Sequence, residues 1–76
     1  MFNSSKKYVI TKIEKQMYVK YKVTFSNEDG DNIYFHYDGH GIWHYWDTMH
    51  LVEEALMKVL NKAYKRKRRE DAKSKK

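Results

Sequence analysis

The sequence predicts an α+β fold: a four-stranded antiparallel meander followed by one C-terminal helix packed on one sheet face (ββββα). Three observations predict it. Residues 17–25, MYVKYKVTF, alternate apolar and polar side chains, the period of a half-buried antiparallel strand. Two stretches, SNEDGDN at 26–32 and DGHG at 38–41, carry turn residues between β-branched and aromatic runs, the pattern of two hairpins. From Met49 onward the apolar spacing becomes three and four, the period of an amphipathic helix.

Taken in order, residues 1–6 read as a polar lead-in, and residues 7–14, KYVITKIE, as a strand. With Val9, Thr11 and Ile13 inward, Tyr8, Ile10 and Lys12 fall on the opposite face. Lys15-Gln16 is a turn without Gly, Asn or Asp, so the register of this first strand is the least specified. In the second strand Met17, Val19, Tyr21, Val23 and Phe25 share the inner face, and Tyr18, Lys20, Lys22 and Thr24 the outer one. A three-residue loop Glu28-Asp29-Gly30, with Gly30 left-handed, makes a type I turn closed by a bulge. It pairs Phe25 with Ile33 and Val23 with Phe35.

The next hairpin, residues 33–46, concentrates aromatic rings and three of the four histidines. Reading Gly39-His40 as a two-residue turn, or 38–41 as a four-residue loop, sets Tyr37 opposite Ile42. Ile33, Phe35, Tyr37, Ile42, His44 and Trp46 then point inward, and Tyr34, His36, Trp43 and Tyr45 outward. A three-residue loop would turn the last strand over, because a one-residue slip exchanges its faces. Asp47-Thr48 supplies N-cap chemistry for a helix starting near Met49. Its stripe is Met49, Val52, Leu56, Val59 or Leu60, and Ala63; Glu53, Glu54, Lys58, Asn61, Lys62 and Lys65 line the other side. No Gly or Pro stops it before about Arg69, so a single domain over 7–69 and a mobile basic tail over 70–76 are expected.

Composition bounds the function. Seventy-six residues make one domain with a thin core. The absence of cysteine excludes disulfides and thiolate metal sites. No apolar run approaches the roughly 20 residues of a membrane span, and MFNSSKKYVI lacks a signal-peptide core; a cytoplasmic protein without a membrane partner is expected. Abundant Lys, Asn, Ile and Tyr with no Pro suggest a phage-like, low-GC source. The net charge of +6 makes an anionic partner plausible.

The uncovered sheet face is the first candidate site. Tyr18, Tyr34, His36, Trp43 and Tyr45 offer surfaces on which bases stack, and Lys20 and Lys22 can neutralise phosphates, so single-stranded nucleic acid is the favoured partner. The basic run Lys65, Arg66, Lys67, Arg68 and Arg69 adds a phosphate-contacting arm on the helix. Two other readings of the face stay open: a gripping surface for an acidic protein partner, as in a small phage-type inhibitor or adaptor, and a homodimer interface. The bland reading is that Tyr and Trp are ordinary strand formers with amphipathic tips.

His36, His40, His44 and His50 do not converge in this register, so no metal and no cofactor are expected. No nucleophile context, phosphate loop or convergent carboxylate pair argues for an enzyme. In layout alone, four antiparallel strands and a helix resemble the small single-strand DNA binders of the transcriptional-coactivator type, and also chromo-type and archaeal chromatin modules. The first resemblance implies dimerisation and use of the sheet face; no residue roles transfer from either.

Overall fold

The computed structural model describes residues 7–17 and 20–74. Strands β1 (Val9–Lys15), β2 (Tyr21–Ser26), β3 (Asn32–Tyr37) and β4 (Trp43–Tyr45) form one antiparallel sheet in the order β1-β2-β3-β4, followed by helix α1 (Glu54–Ser74). This is the expected ββββα layout. No helix among the described residues is long and apolar enough to cross a membrane.

The inner sheet face and the helix share a core of Ile10, Val23, Phe25, Phe35, Tyr37, Trp43, Val52 and Leu60. Leu60 is fully buried, and Leu56, Met57, Ala63 and Tyr64, three or four residues away on the same helix side, pack around that core. Rings dominate the contacts. Phe25 meets Phe35 edge-on at 5.5 Å, Phe35 meets Trp43 edge-on at 6.0 Å, and Tyr37 stacks on Trp43 at 4.2 Å. Tyr64 reaches down from α1 to lie 4.5 Å from Tyr37. Such ring pairs each contribute about 0.5–1.5 kcal/mol beyond their buried area.

Both hairpin loops close in the same way. Asn27 N donates to Asp31 O, while Asn27 Oδ1 accepts from the amides of Asp29 (3.0 Å) and Asp31 (2.9 Å). Asp38 N donates to Ile42 O, and Asp38 Oδ1 accepts from the amides of His40 (2.6 Å) and Ile42 (3.0 Å). In each loop a glycine three residues after the Asx takes a left-handed conformation, Gly30 at φ 89° and Gly41 at φ 100°. The first loop matches the expected type I turn and bulge, and β2 pairs with β3 as expected, Phe25 with Ile33 and Val23 with Phe35.

The second loop corrects the sequence reading. It has three residues between Asp38 and Ile42, so Tyr37 pairs with Trp43, His36 with His44, and Phe35 with Tyr45. The slip of one residue turns β4 over. Trp43 is fully buried on the helix side and Tyr45 half-buried there, whereas Ile42 is exposed. The expected inward positions of His44 and Trp46 are likewise overturned.

Three other boundaries differ. A bulge between Ile10 and Lys12 brings Ile10 to the core and leaves Val9 exposed, reversing their expected faces. The second strand begins only at Tyr21, and Gln16 N donates to Lys20 O just before it; Met17 is exposed rather than inward, and Val19 lies outside the described residues. The helix starts at Glu54, not near Met49. Met49 has φ 63° and reverses the chain, Thr48 Oγ1 accepts from His50 N, and residues 50–52 return along β4. There Tyr45 N donates to His50 O and Val52 N to Trp43 O, which covers the outer edge of the sheet. At its other end α1 continues past Arg69 to Ser74, with an i,i+4 Lys67–Asp71 pair at 3.4 Å in its last turns.

Candidate functional site

The face of the sheet away from α1 is built from cross-strand rows. Glu14, Lys22, His36 and His44 lie side by side across the four strands, and Lys12, Thr24 and Tyr34 form the next row. Alternation along β2 and β3 puts Lys22, Tyr34 and His36 on this side because Val23, Phe25, Phe35 and Tyr37 fill the core. Trp46 follows β4 and is tied to β3 by its amide, which donates to Tyr34 O at 3.3 Å.

These side chains form one cluster. The Trp46 ring stacks on His36 at 4.0 Å with 19° between the planes. Lys22 Nζ lies 4.6 Å from the Tyr34 ring centre and 4.7 Å from that of Trp46. A cation above ring faces is attracted by about 0.5–1 kcal/mol at an exposed site. The result is a flat π surface, backed by an imidazole and topped by one flexible ammonium group.

Burial beneath Trp46 lowers the His36 pKa from 6.5; the Trp46 backbone partly opposes this shift and His44 reinforces it. The unfolded chain therefore takes up this proton more readily than the folded one. Stability is full above pH 6.5 and declines below it, levelling off once the folded-state imidazole is also charged. Lys22 and His44 face the same ring, so added charge there meets like charge. Denaturation midpoints measured from about pH 7 to 5 are expected to fall less steeply in His36→Phe than in the parent. Parallel curves would show that this imidazole is not the group responsible.

Of the residues expected at the site, Lys22, Tyr34 and His36 come together. Lys20 is exposed in the bend preceding β2, and Tyr18 lies outside the described residues. Trp43 and Tyr45 do not belong to this face. Trp43 is fully buried, its indole N–H donating to Asn61 Oδ1 at 2.8 Å, and it cannot stack on a base. The Tyr45 hydroxyl donates to Glu53 at 2.5 Å on the helix side, which holds the Glu53 carboxyl below its ordinary range. Lys65, Arg66, Arg68 and Arg69 are exposed on α1, while Lys67 turns inward to Asp71.

The residue missed by sequence reasoning is Trp46. The signal that could have found it is the shared Asx-x-x-Gly spacing, Asn27 to Gly30 and Asp38 to Gly41, which argues for the same loop twice.

Tyr34 and Trp46 also line an open cleft of about 870 Å³ that continues past His50 to Asp47, Glu53 and Leu56. Its far wall carries the carboxylates of Asp47 and Glu53 and no described Lys or Arg lines it, so the cleft does not favour an anion. Among the described residues no group of three His, Cys, Asp or Glu side chains is placed to hold a metal ion. No family model, curated protein or solved structure matches the chain.

Proposed function

We propose that the chain is a small nucleic-acid-binding module that acts without catalysis and takes a single strand across the open sheet face. The observation that carries this reading is Lys22 poised over the rings of Tyr34 and Trp46, on the face that α1 leaves uncovered. Bases stack on aromatic faces with about 1–3 kcal/mol each, whatever their identity. An incoming base displaces the Lys22 tip from the rings, and its flexible stem lets the ammonium group move to the adjoining phosphate. Exposed Lys20 adds a cation ahead of β2, and Lys12, which pairs with Glu14 at 3.5 Å, exchanges that carboxylate for a phosphate as the strand arrives. The net charge of +6 draws the strand in.

The test is a salt titration of binding to a labelled single-stranded oligonucleotide. With about three phosphates neutralised, the logarithm of affinity is expected to fall against the logarithm of salt with a slope near −2, since each contact contributes about −0.7. Absence of binding at about 20 mM salt, where screening is weak, would overturn the reading and leave an acidic protein surface as the partner to pursue.

A further inference from the structure

Helix α1 carries a second charged surface that the sheet-face reading does not use. Successive residues of an α-helix turn by about 100°, so side chains can be placed around its axis from their numbers. With fully buried Leu60 defining the inner side, Lys58, Lys62, Lys65, Arg66, Arg69 and Lys73 all fall on the outward side, and all six are exposed. The helix's later acids fall elsewhere. Asp71 lies on the inner side and pairs with Lys67, and Glu70 projects from a flank. The result is a band of cations about 100° wide, from Lys58 to Lys73 about 22 Å long at 1.5 Å per residue, without a ring or a carboxylate in it.

The chemistry of this band differs from that of the sheet. It has no aromatic ring on which a base can stack, and its side chains are all cations, whose first partners on a nucleic acid are phosphates. It suits a rigid line of phosphates, and duplex DNA presents one negative charge per about 1.7 Å of its axis. The band also points away from the sheet. Leu60 and Tyr64 meet the core on one side of the sheet, and Lys22, Tyr34, His36 and Trp46 lie on the other. The two surfaces therefore lie on opposite sides of the molecule, with the core between them.

We infer that the outer face of α1 is a second nucleic-acid surface, contacting a duplex backbone without sequence preference, so that one molecule holds two nucleic-acid segments back to back. The two-segment claim rests on the sheet-face reading above; the helix contact does not. It gives the chain a further activity, bridging a duplex to a single strand.

The experiment uses a surface-immobilised DNA duplex, the full chain and a labelled single-stranded oligonucleotide. The parent protein is expected to retain the labelled strand on the duplex. Arg66→Gln/Arg69→Gln is expected to lower duplex affinity and flatten its salt slope by about 2, at about 0.9 per contact, and to lose retention. The same variant should still bind the free single strand within about threefold, because stacking is untouched. Lys7→Gln/Lys15→Gln, two exposed positions on and before β1, removes the same formal charge and is expected to keep retention. Trp46→Ala should do the reverse of the helix variant, keeping the duplex and losing the strand.

Equal losses in the two charge variants would reduce the effect to net charge and overturn the inference. So would loss of both nucleic acids together in Arg66→Gln/Arg69→Gln, which would mean a single surface. A parent protein that binds the single strand alone but never joins it to the duplex overturns the inference and leaves the sheet-face reading standing. Duplex binding that needs Arg66 and Arg69, without any single-strand binding, overturns the sheet-face reading and the bridging claim, and leaves the helix contact.

Discussion

Trp43→Ala is expected to lower the free energy of unfolding by about 3–5 kcal/mol, the range for truncating a buried large aromatic. The side chain is fully buried, stacks on Tyr37 at 4.2 Å, and meets Phe25 and Phe35 edge-on at 6.2 and 6.0 Å. Its indole N–H donates to Asn61 Oδ1, and Asn61 Nδ2 in turn donates to Gly41 O, tying α1 to the β3–β4 loop. Truncation therefore opens a cavity among the rings of Phe25, Phe35, Tyr37 and Tyr64 and strands the Asn61 oxygen. A domain of this size sits near the low end of the usual 5–15 kcal/mol or so, and the variant should be largely unfolded near body temperature. Trp43→Phe restores most of the volume but not the donor, and is expected to cost about 1–3 kcal/mol. Denaturant titrations followed by far-ultraviolet circular dichroism read both. A Trp43→Ala protein with the parent midpoint would mean that β4 presents its other face to the core.

That face was where the sequence misled. The order of elements, the single sheet and the β2–β3 register were legible because residues 20–37 contain one unambiguous turn: Asn27 and Gly30 leave a single way to close it. The second loop holds two glycines, Gly39 and Gly41, both at positive φ, and a two-residue turn at Gly39-His40 satisfies the local pattern equally well. What decides is the Asp38 side chain, whose Oδ1 accepts two amides only in the longer loop. One residue of slip then exchanges Trp43 and Tyr45 for His44 and Trp46. The core therefore holds the rings expected on the open face, and the open face gains a ring expected in the core.

The helix start was obscured for a related reason. Met49 and Val52 have helical spacing, but β4 needs its outer edge covered, and the return segment covers it: the Tyr45 amide donates to His50 O and the Val52 amide to Trp43 O. Tertiary hydrogen bonding overrode periodicity. In β1 no turn residue pinned the register, and the bulge at Thr11 brought Ile10 and Ile13, rather than a strictly alternating set, to the core. Of the candidate site, Lys22, Tyr34 and His36 were legible because they sit on the two strands whose pairing was fixed. The outward cations of α1 were partly legible, since Lys58, Lys62 and Lys65 already separate from the apolar stripe in the sequence.

The second large effect is on binding. Trp46→Ala is expected to weaken single-strand affinity by about 1–3 kcal/mol, a factor of roughly five to a hundred and fifty, as one stacked base is lost. Its effect on folding should be small. Trp46 is only half-buried and its main partners are the His36 ring and the Lys22 ammonium group, contacts worth about 1 kcal/mol at a wet surface. Trp46→Phe keeps a flat ring and should recover part of the affinity, whereas Lys22→Gln should flatten the salt slope by about 0.7 and leave stacking in place. The two tryptophans, three residues apart in the chain, thus divide the labour by face: one governs whether the protein folds, the other whether the folded protein binds. Fluorescence anisotropy of a labelled oligonucleotide, read beside the unfolding midpoint of each variant, separates the two. Unchanged affinity in a folded Trp46→Ala protein would remove the stacking platform from the mechanism, because no other fully described ring on that face lies as close to both Lys22 and His36.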